Sequence, residues 1–72
     1  MQDLNVIARQ NSKAVEAHHL ATRDTGKWGL AKYTGLNFHS WADFDNEAAR
    51  NAAAVEWTNA APGNRTSLHN PA

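Results

Sequence analysis

Two stretches of the chain have the residue pattern of a helix, and a glycine-rich segment separates them. Residues 3–24 contain no Gly or Pro and are dominated by good helix formers, which predicts a first helix. Residues 41–61 begin with acidic side chains, favourable at a helix N-terminus, and continue into an alanine-rich body. Pro62 ends this second helix because proline disfavours helical geometry in the preceding residue. The candidate N-caps are Asp3 for the first helix and Ser40 or Asp45 for the second.

Residues 25–40 carry three of the four glycines and are open to two interpretations. The segment 28–33 has the composition of a short helix that ends at Gly35. Apolar residues that alternate with small or polar ones over 28–39 also fit a hairpin that turns at Thr34-Gly35. Thr-Gly is a weaker hairpin signal than Asn-Gly, and Ala31-Lys32 favours a helix, so we favour the helix.

The predicted fold class is therefore all-α. It consists of two or three helices with an aromatic, glycine-rich central connection and an extended C-terminal tail. The alternative is an α+β fold with a central hairpin at 28–39. Residues 1–61 form one small helical domain, and residues 62–72, which hold both prolines, form the tail. We expect Leu68 to anchor this tail in an apolar groove of this chain or of a second subunit.

The core is predicted to be thin. Of the 72 residues, 42% are hydrophobic, but fourteen of these are alanine. Domains of this size commonly need a staple, a metal or a partner to be stable. On the second helix, Trp41 and Phe44 lie one turn apart on the row that continues to Ala48 and Val55. We expect these two aromatic side chains to be its buried anchors.

Candidate chemistry is sparse. There is no cysteine, which excludes disulfides and thiolate sites. His18 and His19 are adjacent, so on a helix they point about 100° apart and cannot comfortably share one metal ion. The serines lie outside any G-x-S-x-G context, and no phosphate-binding glycine loop occurs. We predict no enzymatic activity, no cofactor and no metal site.

The function that this pattern favours is a non-enzymatic protein–protein interaction through apolar helix faces. Such a protein is an inhibitor, an adaptor or an accessory structural subunit, of the kind that phage and plasmid genomes encode. Its partner is another protein or a second copy of the chain. The candidate interaction residues are the large aromatic side chains and the tail leucine: Trp28, Tyr33, Trp41, Phe44, Trp57 and Leu68.

The alternative function is a small helix-turn-helix-like DNA-binding regulator. Arg23, Lys27 and Lys32 lie close in sequence to aromatic side chains that can support phosphate contacts. The net charge of zero makes nucleic acid the less favoured partner. With no signal-peptide pattern and no long apolar run, the sequence predicts no membrane contact and a cytoplasmic location, in the host cytoplasm or the virion if the gene is a phage gene.

Overall fold

A computed structural model describes the backbone of residues 4–72 and the side chains of residues 9–72. The candidate cap Asp3 lies outside the described residues. The described elements are, in chain order, helix α1 (Leu4–Thr22), a short 3-10 turn (Arg23–Thr25), strand β1 (Trp28–Thr34), strand β2 (Asn37–Phe44), helix α2 (Glu47–Ala60) and strand β3 (Asn64–His69).

The three strands form one antiparallel sheet in the order β2-β1-β3, so β1 is its central strand. One face of the sheet packs against α1, where His18 stacks on Trp41 of β2. The other face packs against α2, where the Arg50 guanidinium lies over the Trp28 ring of β1. The all-α prediction, and the description of the protein as purely helical, are therefore wrong: the fold is α+β.

The central segment forms a hairpin rather than a helix. β1 and β2 pair from Trp28 opposite Phe44 to Thr34 opposite Asn37, so the hairpin extends five residues beyond the predicted 28–39. The two-residue loop begins with Gly35 at φ +58°. A glycine with positive φ at the first loop position is the pattern of a type II′ turn, whose twist matches that of the two strands. The glycine thus outweighs the helix propensity of Ala31-Lys32.

The second helix begins later than predicted. It starts at Glu47, and its N-cap is Asn46, whose Oδ1 accepts a hydrogen bond from the Ala49 amide at 2.8 Å. Neither Ser40 nor Asp45 is the cap. Residues 41–44 belong to β2, where side chains alternate between faces, so Trp41 and Phe44 lie on opposite sides of the sheet. The prediction that both anchor one helix face is wrong.

The face that α2 turns to the sheet also differs from the predicted one. Arg50 and Ala54 are buried, while Val55 is 58% exposed. The predicted face was defined by counting helical turns from Trp41 and Phe44, and these two residues lie in β2 rather than in the helix. The observed contact row instead runs through Arg50, Ala54 and Trp57, one turn apart.

The predicted tail is part of the sheet. β3 pairs with β1 from Asn64 opposite Thr34 to His69 opposite Gly29. Arg50 of α2 donates from Nη1 to the His69 carbonyl at 3.0 Å and to Asn70 Oδ1 at 2.9 Å. The last residue is held as well, because the Ala72 amide donates to the Arg23 carbonyl. Backbone pairing, rather than a Leu68 anchor, therefore orders this segment.

The core lies on the central strand. Gly29, Leu30 and Ala31 are consecutive and all buried, and Leu30 is fully enclosed. Consecutive burial, in place of alternation, results when both faces of a strand are covered. Within residues 4–72, no helix has the length and apolar character that crossing a membrane requires.

Candidate functional site

The six predicted interaction residues do not lie on one surface. Trp28 and Phe44 are cross-strand partners on the α2 side of the sheet. On the same side, Trp57 donates from Nε1 to the carbonyls of Tyr33 and Arg65, each at 3.1 Å. These two hydrogen bonds join α2 to β1 and β3.

The other three residues lie elsewhere. The indole ring of Trp41, on the α1 side, fills the space that a side chain at Gly29 would take. Tyr33 is on the same side, with the Arg65 guanidinium 5.7 Å from its ring. Leu68 is on β3 at the sheet edge, 51% exposed. Of the six, Tyr33 and Leu68 border two regions with unused binding capacity, and Trp57 lines a smaller cleft on the α2 side.

The first such region is a cleft of about 350 Å³ between α1 and the sheet. Cavities of roughly 300–1,000 Å³ are typical of small-ligand sites. The helix wall and the strand wall each supply hydroxyl and ionisable groups. The lining residues, which define what we call the α1 cleft, are Ser12, Val15, Glu16, His19, Tyr33, Ser67 and His69.

His69 is the best connected of these side chains. Its ring centroid is 5.1 Å from that of His19 and 5.0 Å from that of Trp41. Its Nε2 is hydrogen bonded to the Ser67 hydroxyl at 2.8 Å. The two residues are separated by one position on β3, and alternate strand residues project from the same face. The strand therefore presents a fixed serine–histidine pair to the cleft.

The pKa of His69 is lowered. Burial of the ring is the main cause, and repulsion from His19 and from Arg50 adds to it. Each of these effects disfavours the imidazolium ion. His69 is therefore a neutral imidazole at neutral pH, able to accept or to donate one hydrogen bond through each nitrogen as its tautomer allows.

A serine hydroxyl bonded to a histidine is also the first half of a nucleophile–base pair. Such pairs act with a third group that orients the histidine. Among the side chains of residues 9–72, none is hydrogen bonded to the second nitrogen of His69. The same residues contain no group of three His, Asp or Glu side chains placed to hold a metal ion.

Sequence reasoning missed this cleft because it treated residues 62–72 as a tail. One signal was present in the first helix, where Ser12, Glu16 and His19 follow the i, i+4, i+7 spacing of one helix face. To predict the second wall, one would have to know that β3 pairs with β1, a contact that joins residues 30 to 40 positions apart in sequence.

The second region with unused binding capacity is the outer edge of β3. In the described residues β3 pairs with β1 alone, so its far edge carries unpaired backbone donors and acceptors. The half-exposed Leu68 side chain borders this edge. We call this surface, which comprises Asn64–His69, the β3 edge.

No known protein family, no characterised protein sequence and no solved structure matches this chain.

Proposed function

We propose that this protein is a non-enzymatic interaction module that self-associates through the β3 edge. The observation that carries the proposal is a strand with one free side and a half-exposed leucine beside it. Antiparallel pairing of two β3 strands joins two three-stranded sheets into one of six strands. Strand addition of this kind takes its affinity from main-chain hydrogen bonds and its specificity from alternate side chains.

The opposite edge of the sheet is less suited to this role. β2 has an irregularity in its register opposite Lys32 and Tyr33, and such bulges interrupt a ladder. It also carries the charged Asp43, whose Oδ1 accepts a hydrogen bond from Trp41 Nε1 at 2.6 Å. Bulges and charges are common protections against edge pairing. β3 pairs without a register shift and has one charged side chain, Arg65, which donates to the Gly35 carbonyl at 3.1 Å.

Leu68 supplies the hydrophobic part of the interface. Complete burial of a leucine side chain contributes about 1.5–3 kcal/mol. Since Leu68 is 51% exposed, covering the remainder contributes about 1 kcal/mol per copy. Two symmetry-related copies then contribute about 2 kcal/mol, a factor of about thirty in the dissociation constant.

Sedimentation equilibrium over the micromolar range tests the proposal, with Leu68→Lys as the perturbing variant. A lysine at this position removes the apolar contact and adds like charges at the edge, so the dimer should weaken at least tenfold. Leu20→Lys is the matched control, since Leu20 is 47% exposed and lies on α1 rather than on β3. A protein that stays monomeric at high micromolar concentration, or a dimer that both variants weaken equally, would contradict the proposal.

DNA binding remains an alternative that no observation favours. In the described residues α1 leads into a β-hairpin rather than into a second helix, so these elements do not form a helix-turn-helix. The test is a salt titration of binding to duplex DNA, where phosphate contacts produce a steep loss of affinity.

A further inference from the structure

The α1 cleft has an asymmetric distribution of charge. Glu16 is the one acidic residue among the lining side chains, since the others are hydroxyl, apolar or imidazole groups. The carboxylate lies on the helix wall, in the same face as Ser12 and His19. No other acidic residue lines the cleft, so Glu16 is the group there that can pair with a cation.

The opposite wall supplies acceptors and aromatic surface. Ser67 and His69 form a hydrogen-bonded pair that still has a hydroxyl lone pair and one imidazole nitrogen to offer. The Tyr33 ring lies at the same wall and already has the Arg65 guanidinium 5.7 Å from its centroid. In this contact the Tyr33 ring already interacts with one cation.

We infer that the α1 cleft binds a small organic cation, namely a primary alkylammonium compound. Its ammonium group has three donors, which match the Glu16 carboxylate and the Ser67–His69 pair across the cleft. Its alkyl chain contacts the buried Val15 side chain at the base of the helix wall. The Glu16 carboxylate would repel a ligand that carries a carboxylate, and a neutral alcohol would leave Glu16 without an ion-pair partner.

The inference is tested by NMR titration of the isotopically labelled protein with n-butylammonium. The matched ligands are n-butanol, which is neutral and of similar size, and butyrate, which is an anion. We expect butylammonium to shift the amide resonances of residues that line the α1 cleft, with an affinity about tenfold higher than that of butanol. Butyrate should leave these resonances unchanged.

Glu16→Gln should lower the affinity for butylammonium about tenfold, because it removes the charge and retains the side-chain shape. Glu56→Gln is the matched control. Glu56 is an exposed glutamate on α2 that lines a separate, smaller cleft with Lys32 and Trp57. Glu56→Gln removes the same charge from the opposite face of the sheet and should leave the affinity for butylammonium unchanged.

Three results would overturn the inference. The first is equal binding of butylammonium and butanol, which would mean that the cleft takes alkyl chains alone. The second is a preference for butyrate. The third is an equal effect of Glu16→Gln and Glu56→Gln, which would mean that the whole-protein charge rather than the α1 cleft attracts the ligand.

Discussion

Gly29→Ala is expected to destabilise the protein through a single contact. Gly29 is buried in the central strand, and a Cβ atom added there would lie 2.1 Å from Cζ2 and 2.6 Å from Cη2 of Trp41. The glycines with positive φ are elsewhere, so an alanine suits the Gly29 backbone. The cost of the substitution is therefore steric and depends on how far the indole ring can move.

The Trp41 ring has little room to move. The His18 ring stacks on it at 5.6 Å with an interplanar angle of 10°, and the His69 ring lies 5.0 Å away. Overpacking of this kind costs about 1–3 kcal/mol, and the gain from replacing glycine in a strand offsets about 0.5–1 kcal/mol of it. The net loss of about 1–2 kcal/mol should lower the Tm by about 5–15 °C for a domain of this size.

A double-mutant cycle with Trp41→Leu isolates this contact. Unfolding free energies come from urea denaturation followed by far-ultraviolet circular dichroism. In the Trp41→Leu background the indole is absent, so Gly29→Ala should be neutral or stabilising by up to about 1 kcal/mol. An equal cost of Gly29→Ala in both backgrounds would refute the reasoning, since it would show that some group other than Trp41 meets the added methyl.

Three further predictions concern a cap, a buried charge and a titrating ring. Asn46→Ala should lower the unfolding free energy by about 1 kcal/mol, because it leaves the Ala49 amide without its cap; Asn46→Asp should restore most of the loss in the same urea experiment. Arg50 is 3% exposed, and Arg50→Ala should lower the unfolding free energy by about 2–4 kcal/mol. Arg50→Lys should recover only part of this loss, because one ammonium group cannot reproduce the guanidinium geometry, and full recovery would contradict this reasoning. Since folding lowers the His69 pKa, the unfolded chain binds more protons in the pH range below about 6.5. The contribution of a neutral His69 to the unfolding free energy should therefore be complete above about pH 6.5 and be lost as the pH falls through the folded pKa. Urea denaturation as a function of pH should show this loss reduced in His69→Gln, and a profile equal to that of the unmodified protein would contradict the assignment.

The parts of the fold that the sequence predicted are those fixed by local signals. The second helix ends at Ala60, next to the Ala61-Pro62-Gly63 sequence that predicts its end, and Ala61 is already extended. The alanine-rich body of α2 needs no tertiary contact to favour a helix. These features depend on a few adjacent residues, which is why sequence reasoning reaches them.

The parts of the fold that sequence reasoning missed depend on contacts between residues that are distant in sequence. Trp41 and Phe44 have the i, i+3 spacing of a helix, yet pairing with β1 makes them strand residues on opposite faces. The β3 sequence has no hydrophobic alternation, and it is a strand because β1 offers it a free edge. Both regions of the candidate site, the α1 cleft and the β3 edge, are made by that pairing. Their residues were therefore not predictable as a set.

Hydrogen exchange of the β3 backbone amides at low and high protein concentration tests the central claim most directly. Apart from the Asn64 amide, which donates to the Ala61 carbonyl, the β3 amides that point away from β1 have no strand partner in the monomer. Their exchange should therefore slow markedly as the concentration rises and two β3 strands pair. Amides of β2, at the opposite edge, provide the internal reference and should exchange at the same rate throughout. Protection confined to β3 is the predicted result, and β3 exchange that is independent of concentration would contradict self-association through this edge.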